Sequence, residues 1–429
     1  MKNKILVLEL NEINFNFVNK YCQRGLLPNF KKLFDKYKTY RTISENEYHL
    51  IEPWIQWPTF HTGKKYSEHR LFELNDYEKL DFPQIWELIE SRGYKVAAIS
   101  PMNAKNNLSD NSIFLPDPWS FNKIHGSIFI KILHKAVYYF VNNNVKKKFS
   151  LMHYFYLLIS LVVFARMDNY ILYLKYLLKS KKKKWYRAII LDLLLFDLTR
   201  SFVNSKTDFI SSFFNSAAHI QHHYLLNSSV VESKINNEEW YISKNEDPVL
   251  DVFTLYDTMI KKTLEIKDYR VILLTGLTQD LVEDYSIYYR LTNHAEFLNL
   301  IEIKYLKIES LMSRDFKIFF KNQENLNHAV KILTDCKIEN ECIFEFSKSD
   351  NYLFVTLKYN KRIEKKTKFV FRDNHFFADQ YMSLVAIKNG IHNGSGFYID
   401  TGNNDTLIPV KDNEYELSSF KDHLMLNYK

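Results

Sequence analysis

Residues that punctuate a backbone are few in this 429-residue chain, which has nine glycines and nine prolines. That scarcity excludes collagen-like and Pro/Gly-rich low-complexity chains, which need far more of both. Cysteine is also sparse: Cys22, Cys336 and Cys342 are scattered and form no C-x-x-C pair. They suit neither a disulfide framework nor a thiolate metal site, so a reducing cytoplasmic setting is expected. Long apolar runs are missing. The opening MKNKILVLELNE is interrupted by Glu9, which a secretory signal would not carry, so none is expected. The most apolar segment, Phe155 to Ala165, falls far short of the about 20 residues of a membrane span. Arg166 and Asp168 close it, so a buried or interfacial helix is expected there. Neither a G-x-x-x-x-G-K-[ST] loop nor a G-x-G-x-x-G turn occurs, which removes the commonest phosphate cradles.

What is present reads as globular. Hydrophobic residues make up 46% and charged residues 25%, with 29 Tyr and 33 Phe, enough for a sizeable core and for two or three domains. The net charge of +8 gathers largely in Lys146–Lys148, Lys181–Lys184 and the stretch from Lys361 to Lys368. No helix-turn-helix, zinc-finger or RNP signature surrounds these runs, so nucleic acid is not expected as a partner. Two readings stand: solvated faces, or contact with an anionic membrane surface.

Lys4 to Leu10 is an apolar run of strand length, as in a parallel sheet covered on both faces. Phe15, Val18, Tyr21 and Cys22 then share a helical face, and Pro28 suits the first turn of a second helix. A helical pattern from Pro83 to Glu90 ends at Gly93 and leads into a strand, Lys95 to Ser100. Strands Thr207 to Asn215 and Arg270 to Thr275, with a helix over Val249 to Lys267 between them, continue the alternation. The last core strands are expected at Leu384–Lys388 and Gly396–Asp400. The fold class predicted is α/β, a doubly wound, mainly parallel sheet built from residues 1–120, 207–312 and 371–429. A helical insertion over 121–206 and a small β-α-β-β unit over 313–370 interrupt it.

Four constellations carry candidate chemistry. Asn11 and Glu12 follow the first strand, where ligands sit in open α/β sheets, although both residues also suit a helix N-cap. In AAHIQHH, His219, His222 and His223 follow a strand with helical spacing; polar packing is the alternative to a functional role. His392 lies in KNGIHNGSG, whose three glycines permit positive φ and close approach to a ligand, or merely build a hairpin. Finally, EPWIQWPTFHTG crowds Glu52, Trp54, Trp57, Thr59 and His61 into a dozen residues, with His69 close behind. A helix from near Pro58 to Thr62 would make Glu52–Trp57 a rigid loop at its N-terminus, a natural anion site.

In chain order these pieces resemble the alkaline phosphatase superfamily, and within it the type I phosphodiesterase/nucleotide pyrophosphatase-like branch. Gly25 to Leu33, GLLPNFKKL, matches a G-x-x-P-N-x-x-x-L helix; Trp57 to Gly63 matches W-x-x-x-x-T-G; Ser67-Glu68-His69 matches a turn ending in His. His222 stands at the His of D-x-x-x-H, and His392 at a late His on a glycine-rich loop. The chain also departs from the pattern. Asn11 replaces the first Asp, Glu52 or Pro53 the Ser/Thr nucleophile, Ala218 the Asp of D-x-x-x-H, and Thr275-Gly276 an Asp-His. A two-metal site needs several carboxylates, so the ordinary one is not intact. The chain also looks like a divergent subgroup from bacterial surface-polysaccharide gene clusters, marked by NEI, EPWIQWPTFHTG, PMNA, HIQHHY and KNGIH.

The resemblance implies hydrolysis or group transfer on a phosphorylated or nucleotide-linked sugar or glycan. Glu52 or Glu12 would be base or nucleophile, and His222 and His392 acid or ligands of one divalent metal, Zn or Mn. Asn11, Trp54, Trp57, Thr59, His61, His69 and His219 are the expected substrate contacts. A binding protein that has kept the fold, or a metal-independent glycosyl transferase, remains open. The insertion over 121–204 mixes apolar positions such as Phe155, Leu158 and Val162 with Lys175, Lys179 and Lys181–Lys184. That composition suits either a peripheral helix at the inner face of a membrane or a cap packed on the core.

Overall fold

A computed structural model describes residues 4–142, 150–205, 207–311, 314–402 and 414–428. The Lys146–Lys148 run lies outside them. The chain divides into two compact units, one of residues 1–236, 242–281 and 390–429, the other of residues 237–241 and 282–389.

The first unit is an α/β structure with the expected mainly parallel sheet. Its strands are β1 (Lys4–Leu10), β2 (Thr39–Ile43), β3 (Val96–Ile99), β4 (Ile113–Leu115), β5 (Phe209–Phe214), β6 (Tyr269–Leu274), and two more at Ser395–Asp400 and Glu414–Glu416. Across the sheet the order is Glu414–Glu416, β2, Ser395–Asp400, β6, β1, β5, β3, β4. Only Ser395–Asp400 runs against its neighbours. β1 lies at the centre and is buried on both faces, which is why it reads as a nearly continuous apolar run. Helix α1 (Phe15–Gln23) buries the four residues that its spacing predicts, Phe15, Val18, Tyr21 and Cys22. Helix α2 begins at Pro28 and runs to Lys36. Asp257 Oδ1 accepts from its first free amides, Asn29 N and Phe30 N, both at 2.8 Å.

Among the described residues, four α-helices, Ile128–Asn142, Leu151–Phe164, Tyr170–Ser180 and Tyr186–Asn204, make up most of the insertion. In the second unit, Asp315–Phe319, helix Gln323–Asp335, Phe344–Lys348 and Tyr352–Leu357 give the predicted β-α-β-β order, extended by strand Lys307–Ser310. This unit is wider than residues 313–370. Ile287, Tyr289 and Leu291 before that stretch, and Met382 and Ile387 after it, belong to the same core as Phe316, Ile318 and Leu353. Leu384–Lys388 therefore does not close the main sheet. It lies in strand Met382–Asn393, which pairs with Thr278–Leu291.

The EPWIQWPTFHTG stretch corrects the sequence reading. Helix α3 spans Pro53–Thr62, so Glu52 is its N-cap and Pro58 lies inside it. Pro53 costs nothing at the first position, where amides have no helical partner. Pro58 has no N–H to give to the Trp54 carbonyl four residues earlier. Asn103 supplies the missing donor: its Nδ2 reaches Trp54 O at 2.9 Å. Gly63 ends the helix at φ 67°. Asn103 Oδ1 also accepts from Asn75 N and Tyr77 N at 3.1 and 3.2 Å, so one buried side chain ties three segments together.

His69 is fixed in the same way. Its Nδ1 accepts from Leu71 N at 3.0 Å, so the neutral ring carries its proton on Nε2, which donates to Thr59 Oγ1 at 3.1 Å. Burial pushes its pKa down to about 4.

Two outcomes follow for stability. Asn103→Ala leaves a carbonyl and two amides without partners, and should cost about 2–4 kcal/mol in denaturant unfolding; a loss below about 0.5 kcal/mol contradicts the role given to Asn103. The depressed pKa of His69 means that its contribution is fully present above the ordinary value of about 6.5 and lost as pH falls through about 4, about 3 kcal/mol in all. His69→Gln should therefore lower the melting temperature at neutral pH yet flatten its fall between pH 6.5 and 4. An acid slope unchanged by the substitution contradicts this.

Candidate metal centre

Two neighbouring strands of the sheet, β1 and β5, and the separate strand Met382–Asn393 deliver the site. Beyond β1, Asn11 N bonds to Phe214 O at 3.0 Å and Glu12 N to Thr275 O at 3.1 Å, so this turn stays tied to the ends of β5 and β6. Glu12 takes a left-handed conformation at φ 60°, unusual for a non-glycine residue and typical of strained functional positions. Gln221 Nε2 holds the Glu12 carbonyl at 2.8 Å. Helix Ser216–Tyr224 follows β5 and carries His222, and strand Met382–Asn393 carries His392 as its penultimate residue.

The Glu12 carboxylate is buried, and each oxygen is directed. Asn11 Nδ2 donates to Oε1 at 2.9 Å, and Gln279 Nε2 donates to Oε2. Glu12 Oε2 then lies 2.9 Å from His222 Nε2 and 3.3 Å from His392 Nε2, and the two ring nitrogens are 3.1 Å apart. The far nitrogens settle the protons. His222 Nδ1 faces the Gly390 carbonyl at 3.3 Å, and His392 Nδ1 faces Glu52 Oε2 at 3.2 Å. Both partners only accept, so each neutral imidazole carries its proton on Nδ1 and turns a bare Nε2 inward. Three lone pairs thus converge with nothing between them, an arrangement that only protons or a cation relieve.

The charges respond accordingly. Burial disfavours a charged His392, but the Glu12 and Glu52 carboxylates outweigh it and push the pKa up to about 10. Burial pushes the Glu12 carboxyl upward, but the His392 and His222 charges and hydrogen bonds hold it well below the carboxylate range.

A metal ion meets the geometric test. Bonds of about 2.0–2.2 Å place the corners of a tetrahedron about 3.3–3.5 Å apart, close to the three separations here. Two imidazoles and a carboxylate suit Zn or Mn and leave a fourth position open. Glu52 behind His392 and the Gly390 carbonyl behind His222 are the outer partners that such ligands use to fix their rings. Among the described residues this is the one group of three or more such side chains whose ligand atoms lie within 4.8 Å of one another.

The other predicted residues divide sharply. Asn11 and Trp57 adjoin the centre: Trp57 Nε1 donates to Asn11 Oδ1 at 2.7 Å, and Asn11 Nδ2 also reaches Asn215 Oδ1 at 2.7 Å. Trp54 Nε1 is engaged by Phe72 O at 2.9 Å. Thr59 and His69 hold each other inside the protein, and His61 is wholly buried with Nε2 3.1 Å from Glu9 Oε2. Interior partners thus hold all three. His219 is exposed, its ring 4.3 Å from that of His223 rather than with the Glu12 group.

Two residues were not legible beforehand. Gln279 aims Glu12 and bonds to Ala218 O at 2.9 Å, yet a lone Gln after a strand gives no signal. Gly390 is its companion, since a Cβ there would lie 2.0 Å from Gln279 Oε1. The glycine-rich KNGIH motif was the trace of that contact. Where the resemblance expects Asp-His, Gly276 sits at φ 71°, and a Cβ would come within 3.0 Å of the Trp57 ring. The indole is bonded to Asn11 and packs against this glycine.

No protein-family model matches the chain, and no curated protein matches it in sequence. Among solved structures it is similar to phosphonoacetate hydrolase from Sinorhizobium meliloti 1021 in complex with phosphonoformate, at 8% identity and a TM-score of 0.45, over 99% of this chain and 96% of that one. It is similar, too, to murine ectonucleotide pyrophosphatase/phosphodiesterase 5, at 10% identity and a TM-score of 0.41, over 100% of this chain and 96% of that one. For the human form of the latter, the values are 10%, 0.42, 100% and 96%. Likenesses this distant assign no activity, and the chemistry rests on the centre itself.

Proposed function

We propose that this chain is a divergent alkaline phosphatase-superfamily enzyme that uses one divalent ion, Zn or Mn, for hydrolysis or group transfer on a phosphorylated or nucleotide-linked sugar. Assembly of a bacterial surface glycan is the setting that its sequence marks suggest. The observation that carries the reading is the convergence of Glu12 Oε2, His222 Nε2 and His392 Nε2, with separations of 2.9, 3.1 and 3.3 Å.

Glu12, His222 and His392 would hold the ion, which when bound supplies Lewis-acid polarisation of a phosphoryl oxygen or an activated water. Gln279 and Asn11 keep the carboxylate aimed, and Glu52 and the Gly390 carbonyl hold the rings in the tautomer that ligation requires. Glu52 is partly exposed and stands at the N-cap of α3 without capping it, so its carboxylate is available to take a proton from an attacking hydroxyl or water, or to attack directly. The adjacent N-terminus of α3 favours an anionic group nearby.

A second reading has its own observation. The Trp57 indole lies against Gly276, where the resemblance expects Asp-His, and no Ser or Thr stands at the nucleophile position. These departures suit a protein that binds a glycan or nucleotide-sugar around a single ion without turning it over.

Elemental analysis should find about one Zn or Mn per chain, lost in Glu12→Gln and His392→Gln, with Glu12→Gln lowering metal affinity more than about 10–100-fold, the range already reached by outer-partner changes. Against a panel of nucleotide-sugars and phosphodiesters, the metal-loaded chain should turn over, and Glu52→Gln should lower kcat by about 100-fold or more. Stoichiometric metal with substrate binding but no turnover supports the binding protein instead. Absence of metal after loading overturns both.

A further inference from the structure

The insertion presents an apolar surface of unusual extent. Helix Leu151–Phe164 has no Lys, Arg, Asp or Glu, and of its fourteen side chains only Ser160 is buried. Leu151, Phe155, Leu158 and Val162 stand exposed, Val162 at 72%. A helix that is apolar all round belongs in a core or in lipid, yet this one packs mainly on helices Ile128–Asn142 and Tyr186–Asn204 among the described residues and leaves half of its side chains exposed. After a bend of 114°, helix Tyr170–Ser180 buries Tyr173 and Tyr176 and turns Ile171 and Leu174 outward, Ile171 at 86%. Exposed lysines stand at the edge and end of that face, at Lys175, Lys181, Lys182 and Lys184. Over residues 150–191 there are eight Lys and Arg against one Asp, a net +7 in a chain whose total is +8.

Charge and shape choose the occupant. A second copy of the chain would bring the same +7 against itself. A groove on another protein covers one stripe of a helix, whereas this helix is apolar on every exposed side. An anionic bilayer meets both demands, with acyl chains around the apolar residues and headgroups opposite the lysines. Length limits the depth: fourteen residues reach about 21 Å, short of a hydrocarbon core of about 30 Å. Among the described residues no single helix is long and apolar enough to cross a membrane. We propose that the bent pair Leu151–Phe164 and Tyr170–Ser180 embeds in one leaflet of an anionic membrane. This does not depend on the metal centre or on the reaction assigned to it.

The test is flotation of the full chain with vesicles of phosphatidylcholine alone or mixed with phosphatidylglycerol, at low and high salt. Binding should be at least about tenfold stronger to the anionic vesicles at low salt. Lys181→Gln/Lys182→Gln/Lys184→Gln should reduce that preference, and Leu158→Glu/Val162→Glu should abolish binding to both vesicles without changing the melting temperature, since these side chains are exposed. An environment-sensitive dye on Val162→Cys should shift to the blue only with vesicles that bind. No binding, an unshifted dye, or binding that survives the Glu substitutions overturns the proposal. So does a dimer in solution that the Glu substitutions convert to a monomer, which would assign the face to a second copy.

Discussion

Three lone pairs held within 2.9–3.3 Å of one another are the constraint around which the rest of the first unit is arranged. Left alone they repel, so the surroundings must both hold them and permit a positive charge among them. The surroundings do the first through directed partners: Gln279 and Asn11 on Glu12, Gly390 O on His222, and Glu52 on His392. The left-handed backbone at Glu12 is the local distortion that turns its carboxylate inward. Anchors to β5 and β6 keep that turn in place. The pairing of β1 with β5 and β6 holds Glu12 beside the helix that carries His222, and strand Met382–Asn393 brings His392 to them.

Among the described residues this neighbourhood holds the one cluster of three candidate ligand groups. Beside Asn11 and Gly276 stands the Trp57 indole. The indole is clamped by its bond to Asn11 and set edge-on to Phe213 with ring centres 5.5 Å apart. Gly276 is required there because any side chain would strike the ring. Trp57, Asn11 and Gly276 therefore pack as one mutually dependent group. α3 supports it by placing Glu52 and Trp57 on one rigid element, whose interior proline is made tolerable by Asn103.

Much of this was legible where local pattern and tertiary role coincide. The apolar run of β1, the helical face of α1 and the proline opening α2 were read correctly because burial and periodicity agree there. His222, His392, Glu12 and Glu52 were legible as candidates at strand ends and a glycine loop, and the structure brings their side chains together. Sequence could not separate them from His61 and His69, because an interior histidine held by Glu9 or Thr59 has the same local signature as a ligand. The start of α3 was misplaced because Pro58 signals a helix start, and the donor that rescues it lies 45 residues away. Gln279 escaped for the same reason: its role exists only when the chain near Gly390 returns to meet it. Leu384–Lys388 has the composition of a core strand, and its assignment to a different sheet depends on a partner that composition does not name.

Anomalous diffraction from crystals grown with Zn or Mn, collected at the edge of the metal, tests the central claim most directly. One peak about 2.0–2.2 Å from Glu12 Oε2, His222 Nε2 and His392 Nε2, with Trp57 still bonded to Asn11, is the predicted result. A peak held by other residues, a second peak beside Asn11, or no peak at all between His222 and His392 would contradict it.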